Sequence, residues 1–252
     1  MSCPSEAPST IQSKITEGAV KCPSCGAVSQ ATMWDVLEAK CNPERAAQLA
    51  SGELLVHRCP ECGVLVPLDY PLFYVDRDRK VAAFYPAGQG ELEAICTLFV
   101  QANQRFAGID LVSLRKNEFE MRVTPTRYEL AEKVTAWQAG LNDKVLEVFK
   151  AVLLRELKGR NPEAGFCEIQ LVGAQGEGAD QKLEFTLFVQ KEGADGKPEV
   201  VPAGAGVTMP RAAYAQLGAN VDVRCEIDRL YTPVVNAAWA QETLAAIEKV
   251  QA

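Results

Sequence analysis

Lys21-Cys22-Pro23-Ser24-Cys25-Gly26-Ala27-Val28 and Arg58-Cys59-Pro60-Glu61-Cys62-Gly63-Val64-Leu65 are two copies of one short pattern. Each reads basic, Cys, Pro, any residue, Cys, Gly, apolar, and thirty-three residues lie between Cys25 and Cys59. A two-residue gap brings two sulfurs close enough to occupy adjacent corners of a tetrahedron, with metal–sulfur bonds of about 2.3 Å. Proline stiffens such a turn, and glycine after the second cysteine permits a positive φ. Backbone N–H groups can then face the sulfurs and spread their negative charge. Two such knuckles make a closed four-thiolate site with no open position, which is structural and not hydrolytic. The expected metal ligands are therefore Cys22, Cys25, Cys59 and Cys62.

Zinc is the expected ion for four thiolates, and iron in a rubredoxin-like site is the alternative. Rubredoxins are much smaller, with aromatic-rich cores that this segment lacks. A pair of redox dithiols is a different reading. In thioredoxin-like proteins the Cys-x-x-Cys opens a helix, which lowers the thiol pKa; here a glycine and a strand-like run follow each pair. Four unrelated core thiols would not repeat the whole pattern. Lys21 and Arg58, at equivalent places, are expected to offset part of the site's negative charge. His57, the single histidine, lies two residues before Cys59. It is expected to point outward from the strand entering the second knuckle, with a ligand or proton-shuttle role as the alternative. Cys41 is expected as a half-buried thiol, and as a spare ligand otherwise. Cys96, Cys167 and Cys225 lie in apolar patterns and are expected in the core.

Outward from the knuckles the fold reads α+β. Residues 1–16 are polar and are expected as a flexible tail. Residues 17–158 are expected to form the metal-binding domain with a helical hairpin, and 159–252 a C-terminal α+β region. Short strands are predicted at 20–22, 27–33, 54–58 and 64–68. Asn42-Pro43 signals a helix start, and Gly52 its end. Runs 72–75 and 81–85 flank the charged turn Asp76-Arg77-Asp78-Arg79-Lys80 as a hairpin, a solvated turn that also accounts for the nearby Asp69. A helical pattern covers 91–106, and 119–123 reads as a strand. Thr126-Arg127-Tyr128-Glu129 is a capping box. The helix it opens runs to about Trp137 and is stopped by Gly140, and Asn142 caps a second helix ending near Gly159. Strands are expected at 168–172, 183–190 and 221–227. A mobile loop is expected at Gly173–Gly178, a second loop at 191–206, a helix at 208–217, and a terminal helix opened by Thr232-Pro233.

The 252 residues comprise 26 Lys and Arg against 33 Asp and Glu, a formal net charge of -7. With no basic stripe, this disfavours nucleic acid and anionic membrane as partners. No apolar run approaches the roughly 20 residues of a spanning helix, and no signal peptide is visible. Nine cysteines, an odd number, then read as thiols or metal ligands in a reducing compartment, and the expected location is the cytoplasm. One histidine removes the paired-histidine zinc-protease motif, and also the Ser-His-Asp and Cys-His sets unless His57 serves. Gly173-Ala174-Gln175-Gly176-Glu177-Gly178 has the wrong spacing for a dinucleotide fingerprint.

At the knuckles the chain resembles the CpXC domain family, a bacterial and archaeal group named for its paired Cys-Pro-x-Cys motifs. The likeness extends to Pro67-Leu68-Asp69-Tyr70-Pro71-Leu72-Phe73-Tyr74-Val75-Asp76, similar to the family's apolar strand ending in aspartate. It extends further to Glu129–Val134 and Gly140–Glu147, and covers about residues 18–155. The resemblance implies the same four ligands and supplies no reaction. The reading that follows is a non-catalytic zinc-binding protein whose structural site presents a protein-contact surface. The alternatives are a nucleic-acid-associated zinc ribbon and a rubredoxin-like redox site. An enzyme built on a cleft of the helical and C-terminal parts has no motif to support it.

Overall fold

The computed structural model describes residues 11–88, 92–193, 196–229 and 231–251. It has mixed helix and strand content, an α+β fold in two compact units. The first holds residues through Val134 together with Thr232–Val234; the second holds Thr135–Tyr231 and Val235–Ala252. The division falls inside the first helix of the expected hairpin.

The first unit contains β1 (Lys14–Lys21), β2 (Val28–Glu38), α1 (Pro43–Ala50), β3 (Val56–Arg58) and β4 (Leu65–Pro67). β5 (Leu72–Asp76), β6 (Val81–Tyr85), α2 (Leu92–Gln101), β7 (Arg105–Phe106) and β8 (Ile109–Asp110) follow, then α3 (Leu111–Lys116), β9 (Glu120–Val123) and most of α4 (Arg127–Gln138). Its main sheet has the order β1-β2-β5-β6-β9. The pairs β2–β5 and β6–β9 are parallel, and β1–β2 and β5–β6 antiparallel. Every residue of β5 and β6 is buried, as expected of strands covered on both faces. Phe73, Phe84 and Phe99 stack at centroid spacings of 5.8 to 6.4 Å and bind α2 to this sheet.

β1 begins at Lys14, inside the stretch expected as tail; residues 1–10 lie outside those described. β1 and β2 run well past the predicted strands. Only Val36–Glu38 of β2 pair with β5, so the rest of the β1–β2 hairpin extends beyond that pairing toward the first knuckle. The stretch predicted as one strand from Leu54 starts instead with a 3-10 turn, Glu53–Leu55. Helix α1 has its predicted bounds, and Gly52 follows it at φ +78°. The Asn42 side chain does not cap it, however. Its amide donates to Ser13 Oγ at 2.7 Å and to the Glu38 carbonyl at 3.0 Å, which diverts it from the helix. Nor is the 76–80 turn wholly solvated. Asp76 is buried, accepting from Arg79 N at 3.0 Å and from the Arg79 guanidinium at 2.8 Å. The capping box is formed: Glu129 N donates to Thr126 Oγ1 at 3.1 Å, and Thr126 N to Glu129 Oε2 at 2.9 Å.

The second unit contains the end of α4, α5 (Asp143–Arg160), β10 (Phe166–Gln175), β11 (Lys182–Glu192), β12 (Pro198–Pro210), α6 (Arg211–Gly218), α7 (Val221–Arg229) and α8 (Ala237–Gln251). Asn142 caps α5 as predicted, accepting from Lys144 N and Val145 N at 3.0 and 3.1 Å. The antiparallel sheet β10-β11-β12 presents Leu171, Leu183, Phe185 and Leu187 to a core shared with Val145, Phe149 and Leu153 of α5. Gly173 and Ala174, expected in a loop, continue β10. Most of the loop expected at 191–206 is β12; an edge position tolerates its prolines and glycines. Residues 221–227, expected as a strand, are helix α7. Asn220 Oδ1 accepts from Asp222 N at 2.9 Å and Val223 N at 3.2 Å, and Val223 and Ile227 are buried one turn apart. The terminal helix starts at Ala237, after Asn236, whose Oδ1 accepts from Trp239 N. Thr232–Val234 belongs to the first unit, where the Pro233 carbonyl accepts from Val123 N at 2.8 Å. No described helix is long and apolar enough to cross a membrane.

Candidate metal centre

The two knuckles are built alike. Cys22 N donates to the Ala27 carbonyl at 2.8 Å, and Gly26 N to the Cys22 carbonyl at 3.0 Å. Cys59 N donates to the Val64 carbonyl at 2.9 Å, and Gly63 N to the Cys59 carbonyl at 2.9 Å. Gly26 and Gly63 take φ of +76° and +73°, the left-handed conformation that their place in the pattern requires. The first knuckle closes the β1–β2 hairpin, where Lys21 pairs with Val28. The second closes the β3–β4 hairpin, where Arg58 pairs with Leu65.

Cys22, Cys25, Cys59 and Cys62 bring all four sulfurs within 4.8 Å of one another. The Cys22–Cys62 and Cys25–Cys59 sulfurs stand 3.6 and 3.7 Å apart, so the close pairs cross from one hairpin to the other. A zinc–thiolate tetrahedron with bonds of about 2.3 Å has edges of about 3.8 Å. A disulfide would need roughly 2.05 Å. The donor set therefore fits one tetrahedral thiophilic ion, and these four cysteines can hold a metal. Cys22 and Cys59, one from each knuckle, are 3% and 2% exposed and pack with Val66 in a small core of their own, against which Val20 and Ala27 lie. Cys25 and Cys62 face outward.

The electrostatics suit thiolates. Backbone hydrogen bonding from Cys25 is the main cause that pulls the Cys22 thiol down to about 6, against the opposing effect of burial. Cys25 moves the other way, up to about 12. The Ala27 backbone lowers it, but the crowding sulfurs of Cys62, Cys22 and Cys59, with burial, outweigh that. Sulfurs this close hold protons between them until a cation displaces them, and a coordinating thiol is deprotonated outright. Arg58 has a further use: its guanidinium donates to the Gly63 carbonyl at 3.0 Å and braces its own knuckle.

His57 is not one of the clustered ligands. Half-buried, it sits with Nε2 2.7 Å from Ser29 Oγ, so it links β3 to β2 directly behind the knuckles. Ser29 carries no motif that sequence reading could have singled out; only the placing of the two hairpins reveals it. Cys41 is disulfide-bonded, which removes it both as a spare ligand and as a free thiol. Cys225, expected in the core, is exposed because α7 is a helix and turns that position outward. Cys96 and Cys167 are half-buried.

Apolar side chains are exposed around the knuckles. Val28, following the first, is 66% exposed, and Leu65, following the second, 56%; Val56 and Val64 are also exposed.

No curated protein and no solved structure matches the chain. The family model for CpXC protein matches residues 20–150, more than half of the chain, taking in both knuckles, strands β2, β5, β6 and β9 of the main sheet and the start of α5. The chain therefore belongs to the CpXC family.

Proposed function

We propose that the protein binds one structural zinc ion through Cys22, Cys25, Cys59 and Cys62, and that the clamped ribbon presents a protein-contact surface. The role is non-catalytic. The observation that carries the reading is the pairing of sulfurs across hairpins at 3.6 and 3.7 Å. A metal there would fix the two knuckles relative to each other, beyond the His57–Ser29 bond and the small shared core, which makes a small rigid platform. Val28, Val64 and Leu65 flank the sulfurs and are exposed. Apolar side chains grouped on a rigid exposed ribbon suit a protein partner. The net charge of -7 disfavours a phosphate backbone in that place. Zinc is favoured over iron because four thiolates in a closed tetrahedral site need no redox ion. A cytoplasmic location is part of this reading and rests on the reduced knuckle cysteines; the Cys41 disulfide points the other way.

The test compares the zinc-loaded protein with Leu65→Glu as bait. The expected outcome is a protein retained by the parent and lost with Leu65→Glu while zinc content stays the same. Retention of nucleic acid, weakening steeply as salt rises, would favour the ribbon's nucleic-acid role instead.

A further inference from the structure

We propose that the first unit carries a second ligand site, separate from the sulfurs: a cleft beside the ribbon that takes a small organic monocarboxylate with a flat apolar body. The cleft has a volume of about 250 Å³ and lies between α1, the 3-10 turn and strands β2 and β3. Drug-sized ligands occupy clefts from roughly 300 Å³ upward, so this one suits a smaller molecule.

Its floor is apolar, made by the buried Ala31, Leu54 and Leu68. The half-buried Trp34 lines it from β2, and an indole there suits a flat ligand. Polar groups stand above this floor. Arg45 and Gln48, one turn apart on α1, are held together by a 2.7 Å bond from the guanidinium to Gln48 Oε1. That bond consumes the Gln48 oxygen and leaves its N–H₂ group, and the rest of the guanidinium fork, for a ligand. The Trp34 indole is a donor only, and no bond from it to a described residue is formed. The lining is thus rich in N–H donors over an apolar base, which is the complement of a carboxylate on an apolar body.

Glu53 sets the charge limit. It shares the lining with Arg45, so the formal charges balance before a ligand enters. A dianion such as phosphate doubles both the attraction to Arg45 and the repulsion from Glu53 and costs far more to strip of water, so a monocarboxylate is preferred. His57 closes the side toward the knuckles, where its ring is fixed by Ser29. The site and the ribbon thereby share a wall but no ligand-bearing sulfur.

The experiment uses the metal-loaded full chain and benzoate, with benzamide as the neutral isostere. The side-chain N–H resonance of Trp34, assigned by its absence in Trp34→Phe, is followed by NMR through each titration. Benzoate is expected to shift it saturably, benzamide to bind at least about tenfold more weakly, and Arg45→Gln to weaken benzoate at least about tenfold. Arg155→Gln, a surface change on α5, is expected to leave binding as in the parent. Because Arg45 is exposed, its replacement leaves the fold intact. No saturable shift, equal binding of benzoate and benzamide, or parental affinity in Arg45→Gln would overturn the proposal.

Discussion

Cys22 and Cys62, forty positions apart in the chain, place their sulfurs 3.6 Å from each other. The complementary pair, Cys25 and Cys59, does the same at 3.7 Å. Each hairpin thus gives one buried and one outward cysteine, and both of these sulfur pairs join one hairpin to the other. Among the described residues the two hairpins share a small buried patch of Cys22, Cys59 and Val66, flanked by Val20 and Ala27. So small a core holds little on its own, and on the proposed reading a metal held by the four sulfurs would supply the rest.

Removing one sulfur tests this dependence. Binding a structural zinc is worth about 10–16 kcal/mol in apparent terms in small fingers. Cys59→Ser is expected to lose the metal and to lose hydrogen-exchange protection in β1 to β4, while α5 keeps most of its own. Unchanged protection across β1 to β4 would mean that the ribbon stands without the ion.

Gly63 offers a subtler probe. Nothing lies within 4 Å of a Cβ built there, so the cost of Gly63→Ala is conformational alone. At φ +73° that cost is about 1–2 kcal/mol. Zinc affinity, measured by chelator competition, is expected to fall about tenfold or somewhat more with the fold unchanged.

Two caps should be separable by mutation. Thr126→Ala removes the Oγ1 that accepts from Glu129 N at the start of α4, while the backbone bond from residue 126 to Glu129 stays, and Asn220→Ala removes two acceptor bonds at the start of α7. Each is expected to cost about 1 kcal/mol in denaturant unfolding. The Asn220→Ala loss should come with lower exchange protection in α7 and leave zinc affinity unaltered.

Alkali should unfold the first unit through Tyr74. Burial, with the nearby Asp76 charge adding to it, raises its phenol well above the usual value. The folded form therefore keeps its proton after the unfolded chain has lost it. Stability from this group is complete below about pH 10 and falls as pH rises beyond that. Tyrosinate absorbance is expected to show a late component that appears with unfolding, shared with Tyr70 and Tyr85, whose phenols burial also raises, and Tyr74→Phe should shrink it without abolishing it.

The knuckles were legible from sequence because their chemistry is local: cysteine spacing, proline and a positive-φ glycine act within six residues. The capping box at Thr126 and the cap at Asn142 were legible for the same reason. Helix α7 reads as a strand in sequence because Val221, Val223, Cys225 and Ile227 alternate, while the Asn220 cap that decides the matter looks like any loop residue. β12 was hidden by its prolines and glycines, which an edge strand admits. Asn42 looked like a helix cap, yet its amide is taken by Ser13 and the Glu38 carbonyl, the first of these a partner far back in the sequence. The link from His57 to Ser29 depends on how two hairpins meet, which no local pattern encodes.

X-ray absorption on the purified full-length protein, with metal content measured on the same sample, goes to the heart of the account. It should find one zinc per chain with four sulfur neighbours at about 2.3 Å. Iron in that place, a nitrogen or oxygen neighbour in the shell, or no bound metal with the knuckle sulfurs joined as disulfides would contradict it.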